Sequence, residues 1–274
     1  EISACLVGSE MCIRDRNDTR ANANIISILQ GYSDPRLERW FATNNADIYS
    51  TDDELSPVVE KATKYLGVRQ GVPMTRTEYQ GYSKTSRVGI PEQGPRPVLR
   101  VAEAYFLRAE GMLRNWNMGD GTPESLYNEG IHSAWASVLG DESGWAGTYE
   151  SYINGFINTE EGGDFDWELF EGGFGSAPYI NYRNQEYNYY IEENGKQVGI
   201  NRISVRWHDE DSPEKKLQRI ITQKWISFFP TLSSVAWTEY RRTGYPELYP
   251  CIDNLSDCGV SSQRGMRRLS FPYT

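Results

Sequence analysis

The sequence predicts a mainly α-helical fold in which helices pair as hairpins and carry a loop-rich insertion and a small β-hairpin. Two segments, 96–140 and 212–244, repeat apolar residues every three or four positions, which is the period of one buried helix face. Between them, residues 144–190 interleave aromatic residues with glycines and follow neither the helical nor the strand period. With 274 residues, 38% of them hydrophobic, the chain can bury a substantial core.

The first helix is predicted within Asn17 to Gln30, with Ile25, Ile26 and Leu29 as its apolar side. It ends before a turn that Asp34 and Pro35 impose on the chain. From Thr43 to Gln93 the composition is polar, without sustained periodicity, and predicts loops with short strands.

A helical hairpin is predicted next. Gly119 and Gly121 end its first helix, and Thr122 followed by Pro123 starts the second, which runs to Gly140. The apolar stripe predicted for the first helix consists of Val98, Val101, Ala102, Tyr105, Ala109, Met112, Leu113 and Trp116. The stripe predicted for the second consists of Leu126, Tyr127, Ile131, Ala134, Trp135 and Val138.

A second helical hairpin is predicted from Ser212 to Gly244, and Pro230 divides its two helices. The residues predicted to be buried on the first helix are Leu217, Ile220, Ile221, Trp225 and Phe228, and the second helix carries Val235, Ala236, Trp237 and Tyr240. Aromatic residues at this spacing indicate core packing rather than a ligand site, and Phe229 is assigned to the same core. Either Arg241 or Arg242 is expected to pair with a buried acid.

The insertion is predicted to extend over about 144–205. A short helix is expected around Tyr149 to Phe156, and Asn194 followed by Gly195 predicts the tight turn of a β-hairpin. Further along, Cys251 and Cys258 enclose a polar loop, and their spacing is compatible either with a small disulfide or with two free thiols.

Composition and motifs argue against several classes of function. A formal charge of -10 disfavours nucleic acid as a partner, and no apolar run approaches the ~20 residues that span a bilayer. There is no phosphate-binding loop, dinucleotide fingerprint or activated nucleophile, so we expect no cofactor. We also expect no metal site, because two cysteines without a nearby histidine cannot fill a zinc shell, and the acids around His208 are explained by a helix start.

Several segments resemble the SusD/RagB family, the surface nutrient-binding lipoproteins of Bacteroidota. The resemblance lies in "DPRLERWF", "AEAYFLRAEGMLRNWNMGDGTPESLYNEGI", "KKLQRIITQKWISFFP", "AWTEYRRTGYPELYP" and "GMRRLSFPYT", which extend from about Asp34 to the end of the chain in family order. It implies tetratricopeptide-like helical hairpins and a lipid anchor in the cell outer membrane. It also implies capture of glycans or other oligomeric nutrients, and a TonB-dependent transporter (SusC-like) as partner. The segment "TLSSVAW" departs from the family pattern at the loop between the last two helices.

The resemblance also shapes the predicted domain organisation. Residues 17–274 are expected to be the C-terminal portion of a single SusD-like domain, whose signal peptide and lipidated cysteine would precede it. The first sixteen residues look like a translated sequencing adapter, a non-native artefact, and they are excluded from fold prediction. "ISAC" ending at Cys5 matches a lipoprotein cleavage box, but it lacks the basic and apolar stretch that a secretory signal requires.

The predicted function is non-catalytic binding, and the site is placed in the insertion. Aromatic rings stack on the C–H faces of sugars, and the ligand-binding candidates outside the helical faces are Trp145, Tyr149, Trp167 and Tyr179. The alternative for each ring is burial against the scaffold. A glycoside hydrolase would need a pair of carboxylates such as those of Asp164, Asp166 and Glu168, and a helical-repeat adaptor for protein partners is a third reading.

Overall fold

The computed structural model describes residues 20–32, 34–43, 65, 67–68, 70, 97–139, 191–193, 196–198 and 201–251. Its elements are α1 (Ala23–Gly31), α2 (Arg36–Trp40), α3 (Val101–Leu113), α4 (Pro123–Leu139), β1 (Ile191–Glu193), β2 (Lys196–Val198), α5 (Pro213–Phe228) and α6 (Ser233–Thr243). The predicted mainly α-helical class is confirmed. The predicted helix around Tyr149 and most of the polar segment from Thr43 to Gln93 lie outside the described residues.

Helices α3 and α4 form the first predicted hairpin. The Thr122 side chain accepts a hydrogen bond from the Ser125 backbone N–H at 3.1 Å, and the Ser125 hydroxyl accepts one from the Thr122 N–H at 2.8 Å. This reciprocal pair satisfies backbone donors that the first turn of α4 cannot use. Gly119 and Gly121 have φ angles of 80° and 116°, a backbone region that favours glycine, and they reverse the chain between the helices.

The buried face of α3 differs from the predicted stripe. Val98, Val101 and Trp116 are 91%, 66% and 60% exposed, so assigning them to the core was wrong. The residues that α3 buries are Ala102, Glu103, Phe106, Ala109, Glu110 and Gly111. Two of them are acids, and basic side chains on α5 and α6 compensate their charge, so hydrophobicity alone did not locate this face.

Helices α5 and α6 form the second predicted hairpin. The Ser212 hydroxyl oxygen accepts a hydrogen bond from the Lys215 N–H at the start of α5, and α6 ends where Gly244 takes a φ of 90°. Ala236 packs with Phe228 and Leu232 in a small cluster between the two helices. Trp237 is 48% exposed, so the prediction that it belongs to the core was wrong. It lies beside the guanidinium of Arg241, 4.5 Å from the ring centroid.

The predicted β-hairpin is confirmed. Strands β1 and β2 pair antiparallel, with Ile191 opposite Val198 and Glu193 opposite Lys196. This register leaves the two positions of the predicted tight turn, 194 and 195, between the strands.

The principal core combines buried residues of α1, α2, α3, α4 and α5 with Val205 and Trp207 of the segment before α5. Every residue of α1 from Ala23 to Leu29 is buried. Trp40 on α2 and the neighbouring Phe41 have ring centroids 4.9 and 5.1 Å from that of Phe229, which follows α5. The ion pair between Arg36 and Asp34 is fully buried in this core.

Candidate functional site

The four predicted ligand-binding residues, Trp145, Tyr149, Trp167 and Tyr179, lie outside the described residues, as do the acids of the hydrolase alternative. The structure describes the segment that follows β2 and leads into α5, residues 201–211, which we call the return segment. Its first residues close the predicted insertion. The return segment therefore shows how the C-terminal end of the insertion is held on the helical scaffold.

Two buried tyrosines fix the middle of the return segment. The Tyr32 hydroxyl donates to the Ile203 carbonyl oxygen at 2.8 Å, and the Tyr127 hydroxyl donates to the Val205 carbonyl oxygen at 2.7 Å. Burial raises the pKa of Tyr127, so its hydroxyl remains a donor throughout the physiological pH range. Trp207 packs on the Tyr127 ring at a centroid distance of 5.3 Å. The backbone of this segment is thus anchored to α4 and to the end of α1.

Arg219 on α5 joins both halves of the return segment. Its Nη1 donates to the carbonyl oxygen and hydroxyl of Ser204, and its Nε and Nη2 donate to Asp211 Oδ2 at 3.1 and 2.6 Å. The Arg219 and Asp211 side chains are only 5% and 11% exposed. Burial by itself would raise the pKa of Asp211, but the hydrogen bond and charge of Arg219, with Lys215 and His208, lower it. Asp211 is therefore ionised at neutral pH.

A cleft of about 500 Å³ opens between the return segment, α5 and the chain after α6. Its charged lining consists of three cationic side chains, Arg202, Lys215 and Arg219, and three acidic ones, Glu210, Asp211 and Glu247. Gln218 and His208 add further polar groups. The formal charges of these three cations and three acids cancel. The lining can therefore hydrogen-bond a ligand that carries both donors and acceptors.

Glu247, in the chain after α6, also lines the cleft. Burial raises the pKa of Glu247, while a hydrogen bond from Gln218 and the charge of Arg202 act in the opposite direction. Glu247 thus links the chain after α6 to Gln218 on α5 and to Arg202 in the return segment. Sequence reasoning missed this cleft, because the acids before α5 were explained as a helix start and their partner Arg219 lies two turns further along.

A separate ion network holds α6 against α3. Arg242 donates to both carboxylate oxygens of Glu110, at 2.6 and 2.7 Å, and Arg114 donates to Glu110 at 2.8 Å. Burial opposes ionisation of Glu110, but the hydrogen bonds of Arg242 and Arg114 lower its pKa. Glu239 accepts from Arg242 at 2.7 Å and lies 3.4 Å from Nζ of the buried Lys224 on α5. The prediction that one of the paired arginines meets a buried acid is confirmed, with Arg242 as that residue.

Two further observations on the described residues concern metal binding and membrane spanning. Residues 20–251, apart from the gaps within that range, contain no group of three or more histidine, cysteine, aspartate or glutamate side chains placed to hold a metal ion. Among the same residues, no helix is long and apolar enough to span a membrane.

Comparisons with known proteins identify the family. The SusD-like family model, described as Susd and RagB outer membrane lipoprotein, matches residues 4–153 and 174–274. A chitin-binding SusD homolog from Flavobacterium johnsoniae is 31% identical over 92% of this chain and 42% of its own, with a TM-score of 0.63. A SusD homolog from Bacteroides vulgatus is 26% identical over 94% of this chain and 44% of its own, with a TM-score of 0.67.

A SusD homolog from Bacteroides thetaiotaomicron is 29% identical over 92% of this chain and 44% of its own, with a TM-score of 0.64. No curated protein matches the chain. The chain spans less than half the length of each of these three solved relatives. Because the family model covers most of the sequence and the same helical fold recurs in these structures, the chain belongs to the SusD-like family of outer membrane lipoproteins.

Proposed function

We propose that this protein binds glycans or other oligomeric nutrients at the cell surface, without altering them chemically, and delivers them to a TonB-dependent outer-membrane transporter. The observation that carries the proposal is the charge-balanced cleft that the return segment forms with α5, in a chain of this family. A cleft of mixed donors and acceptors suits a polyhydroxylated ligand, since each sugar hydroxyl both donates and accepts.

The proposal assigns different roles to the scaffold and the insertion. The helical hairpins and the anchored return segment supply a rigid frame with polar contacts. Trp145, Tyr149, Trp167 and Tyr179 of the insertion would supply the flat faces on which sugar rings stack. The solved relative from Flavobacterium johnsoniae is chitin-binding, so chitin oligosaccharides are the first ligands to test.

The family description supports a proposal for the cellular setting. We propose that a lipid anchor holds the protein in the outer membrane with its binding face towards the medium, beside the transporter. Detergent extraction followed by affinity purification should then recover a TonB-dependent transporter together with this protein. A tagged protein that purifies without any transporter would contradict the delivery step and leave ligand binding standing.

The binding step is tested by titration calorimetry on the full chain with chitin and other oligosaccharides. We expect Trp145→Ala and Trp167→Ala to bind roughly tenfold more weakly, the loss that follows when a stacked aromatic contact worth above 1 kcal/mol is removed. Trp116→Ala is the matched control, because Trp116 is an exposed tryptophan outside the insertion. Unfolding temperatures close to wild type would show that the fold is intact.

Two outcomes would contradict the proposal. If both insertion variants bind every oligosaccharide as tightly as wild type, the site lies elsewhere. If purified protein releases reducing ends from a polysaccharide, the protein is a glycoside hydrolase, which would require two carboxylates held ~5–9 Å apart.

A further inference from the structure

We propose that the cleft between the return segment and α5 is a saccharide subsite that selects uncharged glycans. The inference rests on the proposed function and adds to it a location and a class of ligand. Three features carry it: a floor that is already ordered, a rim that offers both donors and acceptors, and a charge balance that favours neutral partners.

The floor of the cleft is preorganised. All three guanidinium nitrogens of Arg219 donate, two to Asp211 and one to Ser204. Arg219 is 4% exposed, and its partners are tied to the scaffold through the return segment. A ligand that enters the cleft therefore meets side chains whose rotamers are already fixed, which lowers the entropic cost of binding.

The rim offers groups that suit sugar hydroxyls. Gln218 donates one amide hydrogen to Glu247, which leaves its second amide hydrogen and its carbonyl oxygen for a ligand. The carboxylate of Glu247 has further lone pairs that accept, and the 63%-exposed side chain of Lys215 donates. The volume of about 500 Å³ falls within the ~300–1,000 Å³ typical of small-ligand pockets. The described lining contains no aromatic side chain, so recognition here depends on hydrogen bonds.

Charge sets the class of glycan. The three cations and three acids of the lining cancel, so an ionised sugar gains no net attraction in the cleft. At long range the chain carries a formal charge of -10, which repels polyanions. A uronic acid or a sulfated sugar is thus disfavoured on approach and gains no compensating attraction in place, whereas a neutral glycan is not repelled.

The experiment compares variants and ligands on the full chain by titration calorimetry. The cleft variant combines Gln218→Ala with Glu247→Ala, and Glu129→Ala on the exposed side of α4 is the matched control. The probes are neutral oligosaccharides of chitin, cellulose, xylan and starch, and acidic oligomers of galacturonate and alginate. Circular dichroism melting establishes that each variant is folded.

We expect the cleft variant to bind the preferred neutral oligosaccharide about tenfold more weakly, since it loses the amide and the carboxylate that contact the sugar in this proposal, and the control to bind as wild type. Acidic oligomers of the same length should bind wild type at least roughly tenfold more weakly than the neutral one. Unchanged binding by the cleft variant would overturn the subsite while leaving the proposed function intact. Tighter or equal binding of the acidic oligomers would overturn the selectivity. Failure of wild type to bind any probe would overturn the proposed function itself.

Discussion

At the scale of single residues, the contact between Phe106 and Gly130 sets how closely α3 and α4 approach. A Cβ atom at Gly130 would lie 2.6 Å from Cε1 of the fully buried Phe106 ring, a distance that real Cβ atoms essentially never show. The ring also lies 6.3 Å from the ring of Tyr127, centroid to centroid. Glycine at this position therefore serves packing, although it weakens the helix by about 1 kcal/mol relative to alanine.

We predict that Gly130→Ala lowers the free energy of unfolding by about 1–3 kcal/mol, because overpacking outweighs the gain in helix propensity. Denaturant titration measures the change. Gly111→Ala is the control, since its Cβ would meet the flexible end of Met118 instead of an aromatic ring in the core. Adding Phe106→Leu to Gly130→Ala should recover part of the loss, and a stabilised Gly130→Ala would show that α3 and α4 can separate freely.

At the scale of elements, α6 is joined to the scaffold by a small apolar cluster and by charge. The cluster comprises Phe228, Leu232 and Ala236, with Trp225 and Val235 packed against it. The charged contacts run from Arg242 to Glu110 on α3 and from Glu239 towards Lys224 on α5. Because the carboxylate of Glu110 is nearly buried, removing its partner leaves a charge with less compensation.

We predict that Arg242→Ala lowers the free energy of unfolding by about 1–3 kcal/mol, a figure reduced from that of a fully buried pair because Arg242 is partly exposed. Arg241→Ala, at the neighbouring position, is the control and should cost less than about 1 kcal/mol, since it removes a contact with the exposed Trp237. Chemical denaturation of both variants measures the difference, and equal losses would show that the pair with Glu110 contributes nothing specific.

The same network gives a direction to the effect of pH. The folded state lowers the pKa of Glu110 below its ordinary value of 4.5, so its contribution is present above pH 4.5 and is lost as pH falls through the lower folded value. The stability gap between wild type and Arg242→Ala should therefore be constant near neutral pH and narrow below about pH 4.5. A gap that does not change with pH would assign the loss to packing.

At the scale of the whole molecule, residues far apart in sequence build the frame of the proposed site. The hydrogen bond from Tyr32 to Ile203 joins residues 171 positions apart in the sequence, and the one from Tyr127 to Val205 joins residues 78 positions apart. The hydrogen bond between Ser27 and Tyr249, at 3.0 Å, ties the start of the described chain to its end. The two tyrosines hold the return segment against α4 and the end of α1, and Arg219 joins it to α5.

We predict that Tyr127→Phe costs about 1–3 kcal/mol of stability, because the buried Val205 carbonyl oxygen loses its donor. It should also weaken glycan binding, because the cleft is built on the segment that this hydroxyl anchors. Tyr105→Phe, on a half-buried tyrosine of α3, is the matched control. Urea unfolding and calorimetry with the preferred oligosaccharide provide the two measurements, and unaltered binding by a destabilised Tyr127→Phe would separate the anchor from the site.

A structural feature can be predicted from this sequence when the interactions that produce it join residues close together in the chain. The starts of α4 and α5 and the end of α6 were predictable, because Thr122, Ser212 and Gly244 act within one turn of their own position. The buried face of α3 was not, because Lys224 and Arg242, which compensate the charge of its two buried acids, lie on other helices. The cleft was missed for a similar reason, since the return segment depends on hydroxyls from α4 and from the end of α1.

The anchors of the return segment have a consequence for how this protein can change over evolutionary time. Three side chains, those of Tyr32, Tyr127 and Arg219, donate hydrogen bonds to the backbone carbonyl oxygens of residues 203, 205 and 204. Every amino acid carries such a carbonyl group. Substitutions at the exposed positions of this stretch, such as Arg202 and Arg206, therefore need not release it from the helices. Proteins that evolve from this one can thus change the exposed side chains that contact a nutrient while they keep the same backbone hydrogen bonds to the helices.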